Sequence, residues 1–412
     1  MEPSSTDAED VANTWLRPRG SNQIGMRQFN ERVVLQAIRF HGSMPKADLA
    51  RLTKLSTQTV SVIINRLFDE GLVIKLAPLR GKVGQPSVPI ALNPDGAFSI
   101  GIKIGRRSVD ILLVDFVGQA RERFSMSYAF PEPEALFSEI QHRLSHIRKL
   151  LGPLRAERLS GIGIAAPLAL GGWQALLDIT PEEANRWDQI DIRARVQEMT
   201  ELPVEFAKDT AAACVAELVA GRGRSIKSFL YVFVDTFIGG GLVIDSHLRG
   251  GLHGNAGALA SIPLGLAKSG SGNAPTQLLN DASLFKLEQL YSASGLDTTA
   301  AYDGRANQIP WQTHTHVWLD DAACAIALAI NSATCLLDLA EVIIDGSCDR
   351  TLVEQLLLSV NEALGDYNWE GVTRPEVLGG TIGSDARAIG GALLPLYANF
   401  APDHDLFLKL SN

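Results

Sequence analysis

The chain has 412 residues, 46% of them hydrophobic, with 37 Lys and Arg against 46 Asp and Glu and a formal net charge of −9. That length exceeds one ordinary core, so two or three domains are expected. A polar, acidic amino terminus and the lack of a sustained apolar run argue against a secretory signal or a membrane span and predict a cytoplasmic protein. The four cysteines, Cys214, Cys324, Cys335 and Cys348, show no CxxC or CxC spacing, which predicts reduced, mostly buried thiols with neither disulfide nor zinc.

Residues 1–20 mix acids, Ser, Pro and Gly without periodicity and are expected to form a mobile tail. A helix is predicted from about Arg27 to His41, burying Val34, Leu35 and Ile38 and ending at Gly42. Pro45 opens a second short helix. In a third, Val60, Ile63, Ile64 and Leu67 fall at i, i+3, i+4 and i+7, which turns Gln58, Ser61, Val62 and Asn65 outward. Ser56 is its predicted N-cap and Gly71 its stop. Leu72–Ala77 and Val88–Leu92 read as strands flanking a basic loop at 78–86, so residues 21–92 form a winged helix-turn-helix.

Such geometry also occurs in proteins that never touch nucleic acid. Charge distribution weighs towards DNA: residues 15–85 carry twelve Lys or Arg against four Asp or Glu, while the chain as a whole is acidic. A basic module on an acidic body suits a phosphate-binding reader, and small amides and hydroxyls suit base edges. The expected contacts are Lys46, Lys54, Ser56, Thr57, Gln58, Thr59, Ser61, Asn65 and Arg66, with Arg80 and Lys82 from the loop.

The remainder, 93–412, opens with three strand-like runs from about Phe98, joined by turns at Arg106–Arg107 and Gly118 that impose antiparallel pairing. A helix from about Pro133 to Leu151 leads into the strand LSGIGIA; PVEFA, FLYVFVD and GGGLVID follow, then a helix from Asp320 to Leu339 and the strand EVIIDG. This pattern predicts α/β with mixed sheets, in two related lobes around a cleft.

These residues together resemble the repressor, open-reading-frame, kinase (ROK) family. The likeness rests on the winged helix at 30–71, GQP at 84–86 leading to ALNPDG, GIGIAAPL, KDTAAACVAE at 208–217, and above all GGGLVIDSHLRGGLHGNAG at 239–257. It implies a two-lobed actin-like (hexokinase/RNase H-type) body, and the amino-terminal reader points to the repressor branch. Family kinases carry D-x-G-G-T between the first two strands, where this chain has Lys103-Ile104-Gly105-Arg106-Arg107. Their second phosphate turn reads here Thr236-Phe237-Ile238-Gly239-Gly240-Gly241, and the adenine-side glycines are reduced to Asp345-Gly346-Ser347. Asp209 matches the family's general base. The E-I-G-H that grips sugar in relatives is replaced by Ala258-Leu259-Ala260-Ser261, and the family's zinc loop by IPLGLAKSGSGNAPTQ, which contains no Cys or His. The resemblance leaves Lys208, Asp209, His253, Asn255 and Trp187 as the expected ligand set, with Lys208 favouring an anionic ligand, and implies neither cofactor nor metal.

His142 with His146 and His314 with His316 have spacings that can hold a metal but lack further ligands, and are read as solvated. Gly161 and Gly163 are read as marking a close-packed strand. The expected function is a transcriptional regulator, a repressor of carbohydrate-related genes, binding a two-fold operator in duplex DNA as a homodimer or higher oligomer under a small-molecule effector such as a sugar derivative. Two alternatives remain open, an active ATP-dependent sugar kinase with a regulatory role and a ligand-independent repressor.

Overall fold

The computed structural model describes residues 23–78, 87–168, 170–171, 180–267 and 274–402. The amino-terminal part contains α1 (Gln23–His41), β1 (Ser43–Pro45), α2 (Lys46–Thr53), α3 (Thr57–Asp69), β2 (Val73–Lys75) and β3 (Pro89–Leu92). β3 lies between β1 and β2, antiparallel to both. The third strand, β1, escaped the sequence reading, because three residues carry no periodicity. Ser56 caps α3 by accepting the Thr59 N–H at 3.0 Å, and Gly71 follows in the left-handed region at φ 74°. Val60, Ile63, Ile64 and Leu67 are all buried, as their spacing requires.

The first lobe holds β4 (Phe98–Ile104), β5 (Ser108–Asp115), β6 (Ala120–Ser127), α4 (Pro133–Ala156), β7 (Leu159–Ala166), α5 (Pro181–Asp188), α6 (Ile192–Gln197) and β8 (Val204–Lys208). α4 runs five residues beyond the predicted end, past a non-helical Gly152. The second lobe holds α7 (Asp209–Val219), β9 (Phe229–Val234), β10 (Gly239–Ile244), β11 (His247–Arg249), α8 (Leu278–Ala282), α9 (Leu284–Ala293), α10 (Gln312–Leu337), β12 (Glu341–Gly346), α11 (Arg350–Ala363) and β13 (Glu376–Gly379). The last helix, α12 (Ala386–Phe400), returns to the first lobe.

The two five-stranded sheets run β6-β5-β4-β7-β8 and β11-β10-β9-β12-β13. In each, the first three strands form an antiparallel meander and the last two add in parallel, so the lobes repeat one topology. α10 starts eight residues before the predicted Asp320, because the polar QTHTHVW stretch hides a turn whose Thr315 and Trp318 point inward. By length and composition it could cross a bilayer, yet half of its most apolar window is buried, packed into the second lobe's core. It also carries the two exposed thiols, Cys324 and Cys335; only Cys214 and Cys348 are buried, which corrects the expectation of mostly buried cysteines.

α12 sets the geometry of the whole body. Its run Ile389-Gly390-Gly391-Ala392 lies against α7, β4 and β7 at backbone distance. A Cβ on Gly390 would collide with the Ala212 carbonyl of α7, and one on Gly163 with the Gly391 carbonyl. No side chain larger than hydrogen fits at either place.

Candidate functional site

Two regions of the described residues bear on the expected function. The first is the outer face of the reader. Thr57, Gln58 and Asn65 are exposed on α3, Ser61 and Thr59 partly so, and Lys54 stands exposed in the α2–α3 turn at φ 57°. Lys46 donates from Nζ to Asn65 Oδ1 at 3.3 Å, placing a cation beside the outward amide. Ser56 is engaged as the cap and also contacts the Thr59 hydroxyl at 2.8 Å. Arg66 is held otherwise than expected: Nε bonds Glu70 at 2.9 Å and Nη1 meets Glu31 at 3.2 Å, so its guanidinium fixes α3 to α1. Arg80 and Lys82 lie outside the described residues.

The reader shares its core with the body. Val34, Ile38, Leu49, Ile64, Val73 and Leu92 belong to one apolar cluster with Val114 and Phe116 of the first lobe and Leu393 and Leu396 of α12. The Arg39 guanidinium sits 5.1 Å from the Phe116 ring centroid, and burial lowers its pKa to about 10 despite Asp115. Phe116 in turn meets Phe400 edge-on at 4.8 Å, and Arg32 donates to the Ala401 carbonyl at 3.3 Å. The carboxyl-terminal end of α12 is thereby fastened to α1.

The second region is the cleft between the lobes, a cavity of about 330 Å³. The end of β4 places Lys103, and the β4–β5 turn Arg106 and Arg107, on one wall; Asp209, Asp235, Glu288 and Arg387 complete the charged lining. Arg107 reaches across the cleft and bonds Glu288 of α9 with both terminal nitrogens, at 2.9 and 3.0 Å. Glu288 Oε1 also accepts from Tyr302 at 2.7 Å, and Tyr302 pairs with the Thr236 hydroxyl at 2.7 Å. Hydrogen bonding to Glu288 raises the Arg107 pKa. Lys103 donates to Ser108 Oγ at 2.6 Å and to Asp110 at 3.2 Å, while burial and the nearby Arg387 charge lower its pKa. Arg106 lies over the Phe237 ring at 5.2 Å, and burial lowers its pKa too.

Arg387, in the first turn of α12, forms an ion pair with Asp235 and approaches Asp209 at 3.8 Å. Burial opposes the Asp235 charge, but Arg387 and a hydrogen bond from Ser347 outweigh it and lower its pKa. One helix thus carries a cleft cation at its start and the reader contact at its end.

Of the five expected ligand residues, only Asp209 lines this cavity. It is the first residue of α7, with Lys208 as N-cap; burial lowers the Lys208 pKa. Trp187 is buried, its indole donating to the Pro131 carbonyl at 2.9 Å and its ring packing on Phe137, and it lies outside this cavity, on the edge of another lined by Asp188, Asp191 and Arg193. His253 and Asn255 are exposed and outside the cavity lining. Asp235, Glu288, Tyr302 and Arg387 join the lining without having been expected there from the sequence. An acid at the end of the apolar run FLYVFVD was the one local sign. Among the described residues no group of three or more His, Cys, Asp or Glu side chains converges to hold a metal.

A helix-turn-helix module fused to two α/β lobes of repeated topology, with a charged cleft between them, defines a chain of the actin-like, kinase-related class. Residues 99–396 match the ROK family, and the chain belongs to it. It is 26% identical over 249 residues to the xylose repressor of Bacillus subtilis, covering 59% of this chain and 62% of that protein. With the DNA-binding transcriptional repressor Mlc of Escherichia coli it shares 24% identity, covering 58% and 57%. The matched region therefore spans a little under two thirds of these relatives' length. Among solved structures it resembles a ROK family transcriptional regulator homologous to Escherichia coli Mlc, with TM-score 0.66, 18% identity and coverage of 94% and 99%. It also resembles a ROK family glucokinase from Streptomyces griseus, with TM-score 0.55, 19% identity and coverage of 72% and 99%.

Proposed function

We propose that this chain is a DNA-binding transcriptional repressor, that residues 21–92 read a two-fold operator in a homodimer or larger homo-oligomer, and that a small molecule in the interlobe cleft adjusts its affinity. The observation that carries this reading is α12, which joins Arg387 in the cleft to the apolar cluster that the reader shares with the body. A ligand that alters lobe closure shifts that helix, and with it the spacing of paired readers, which must match half-sites a helical turn or a multiple apart. The repressors among its relatives support the direction of control and the carbohydrate setting.

The kinase reading is disfavoured on chemical grounds. Phosphoryl transfer needs an acid to hold magnesium and a turn through which backbone amides approach phosphate. Here the first turn offers Lys103, Arg106 and Arg107, with no acid, and Phe237, with the Arg106 guanidinium over its ring, stands in the second. These residues do not fit a magnesium nucleotide. Asp209 remains, but an acid in a helix first turn is equally a favourable partner for the helix dipole.

Binding to genomic DNA fragments, followed by gel shift, tests the reading. Gln58→Ala and Asn65→Ala should each weaken binding about tenfold if they lose base contacts of ~1–3 kcal/mol, with melting temperatures unchanged. Wild-type affinity in both variants would remove α3 as the recognition helix. ADP release with hexoses at an enzyme-like rate would reinstate the kinase.

A further inference from the structure

We infer that the interlobe cavity is a site for an anionic polyol, a compound bearing a phosphate or carboxylate next to several hydroxyls, and that its acidic group competes with Glu288 for Arg107. This rests on the reading of the cleft as the effector site. Four cations line the cavity, Lys103, Arg106, Arg107 and Arg387, against the three carboxylates Asp209, Asp235 and Glu288. Asp110, paired with Lys103 at 3.2 Å, brings the charges level, and because enclosed charges are costly unless matched, an anion enters by displacing one of these carboxylates from its cation. Arg387 supplies a second sign: its Nε is buried and has no hydrogen-bond partner.

Arg107 is the accessible member, its side chain about half exposed, and its planar fork suits a two-oxygen anion. In this structure Glu288 fills that role from the opposite lobe. A phosphate or carboxylate seated on Arg107 releases Glu288, breaking a tie that holds the lobes together. The hydroxyls of Ser108, Thr298, Thr299 and Tyr302 on the same walls suit the polyol part. Binding and lobe closure are thus linked through one guanidinium, and a ligand shifts closure only as far as it prefers one state.

The two partners make opposite predictions. With the full chain, calorimetry and thermal shift are run with pyrophosphate, glucose 6-phosphate, gluconate and glucose. Glucose 6-phosphate, gluconate or both should bind and raise the melting temperature, while glucose at equal concentration does not; whichever responds identifies the acidic group. Arg107→Gln should weaken that binding tenfold or more, and Glu288→Gln should tighten it severalfold by removing the competitor. A structural role alone would move both variants the same way. Glucose binding as tightly as its charged analogues, no response to any charged probe, or weakening by both variants overturns the inference. Operator binding by the unliganded protein is scored in parallel. Its absence sinks the regulator reading, whereas intact DNA binding without a response to anions overturns the ligand assignment alone.

Discussion

Gly390→Ala adds one methyl group at the closest approach of α12 to α7. The added Cβ would stand 3.2 Å from Ala212 Cα and far inside 3.0 Å of the Ala212 carbonyl, a rigid backbone group that cannot rotate away. The helices must part by on the order of 1 Å, which on a steep contact potential forfeits a quarter to a half of the attraction between facing atoms. Overpacking of this kind costs about 3 kcal/mol or more. Its neighbour is an internal control, because a Cβ on Gly391 meets Ala165 Cβ at 3.3 Å, a contact that a small adjustment relieves. Gly391→Ala should cost less than about 1 kcal/mol. Guanidinium denaturation followed by circular dichroism measures both. If Gly390→Ala lies within about 0.5 kcal/mol of wild type, the ordinary range for neutral sites, backbone contact between α12 and α7 does not set the body's geometry.

Ser56→Ala should destabilise the protein by about 1 kcal/mol, since the Thr59 N–H loses its acceptor; an unchanged denaturation midpoint would show the cap to be unimportant. Asp235 has a folded-state pKa below its ordinary value of 3.8, so its charge stabilises the fold above that value and the contribution fades as pH falls through the folded pKa. Asp235→Asn should therefore flatten the acid limb of the stability profile and, by stranding Arg387, cost about 3–5 kcal/mol at pH 7; an acid limb as steep as wild type would refute this. Cys324 and Cys335 are exposed, whereas burial raises the Cys214 pKa and pushes Cys348 up to about 12. Ellman's reagent at pH 8 should accordingly titrate two thiols in the native protein and four after denaturation, and four at the native stage would contradict the burial.

The reader was legible because its signals are local: the spacing Val60, Ile63, Ile64, Leu67 sits between a capping serine and a left-handed glycine. The two lobes were legible because their central strands, among them β4, β7 and β9, are short, apolar and bounded by turn residues, whereas the polar or three- to four-residue edge strands β11 and β13 carry no such signal. The cleft was not. Arg387 and Asp235 meet from positions far apart in the chain, as do Arg107 and Glu288, and no periodicity links such pairs. A family resemblance gives backbone positions but not side-chain directions: Trp187, expected at the ligand, donates to the Pro131 carbonyl and lies outside the interlobe cavity. Arg66 shows the same limit, since its place on α3 gives no sign of the two carboxylates, Glu31 and Glu70, that hold it.

Because one apolar cluster runs from α1 and α3 through Phe116 to Leu393 and Leu396, the boundary near residue 92 is a seam in the sequence and not in the core. Cutting there would strip an oily face on both fragments, so a truncated head should clump or melt early, and its weak DNA binding would reflect damage more than lost allostery. Grafting this head onto another body would require transplanting the matching surface of the final helix as well.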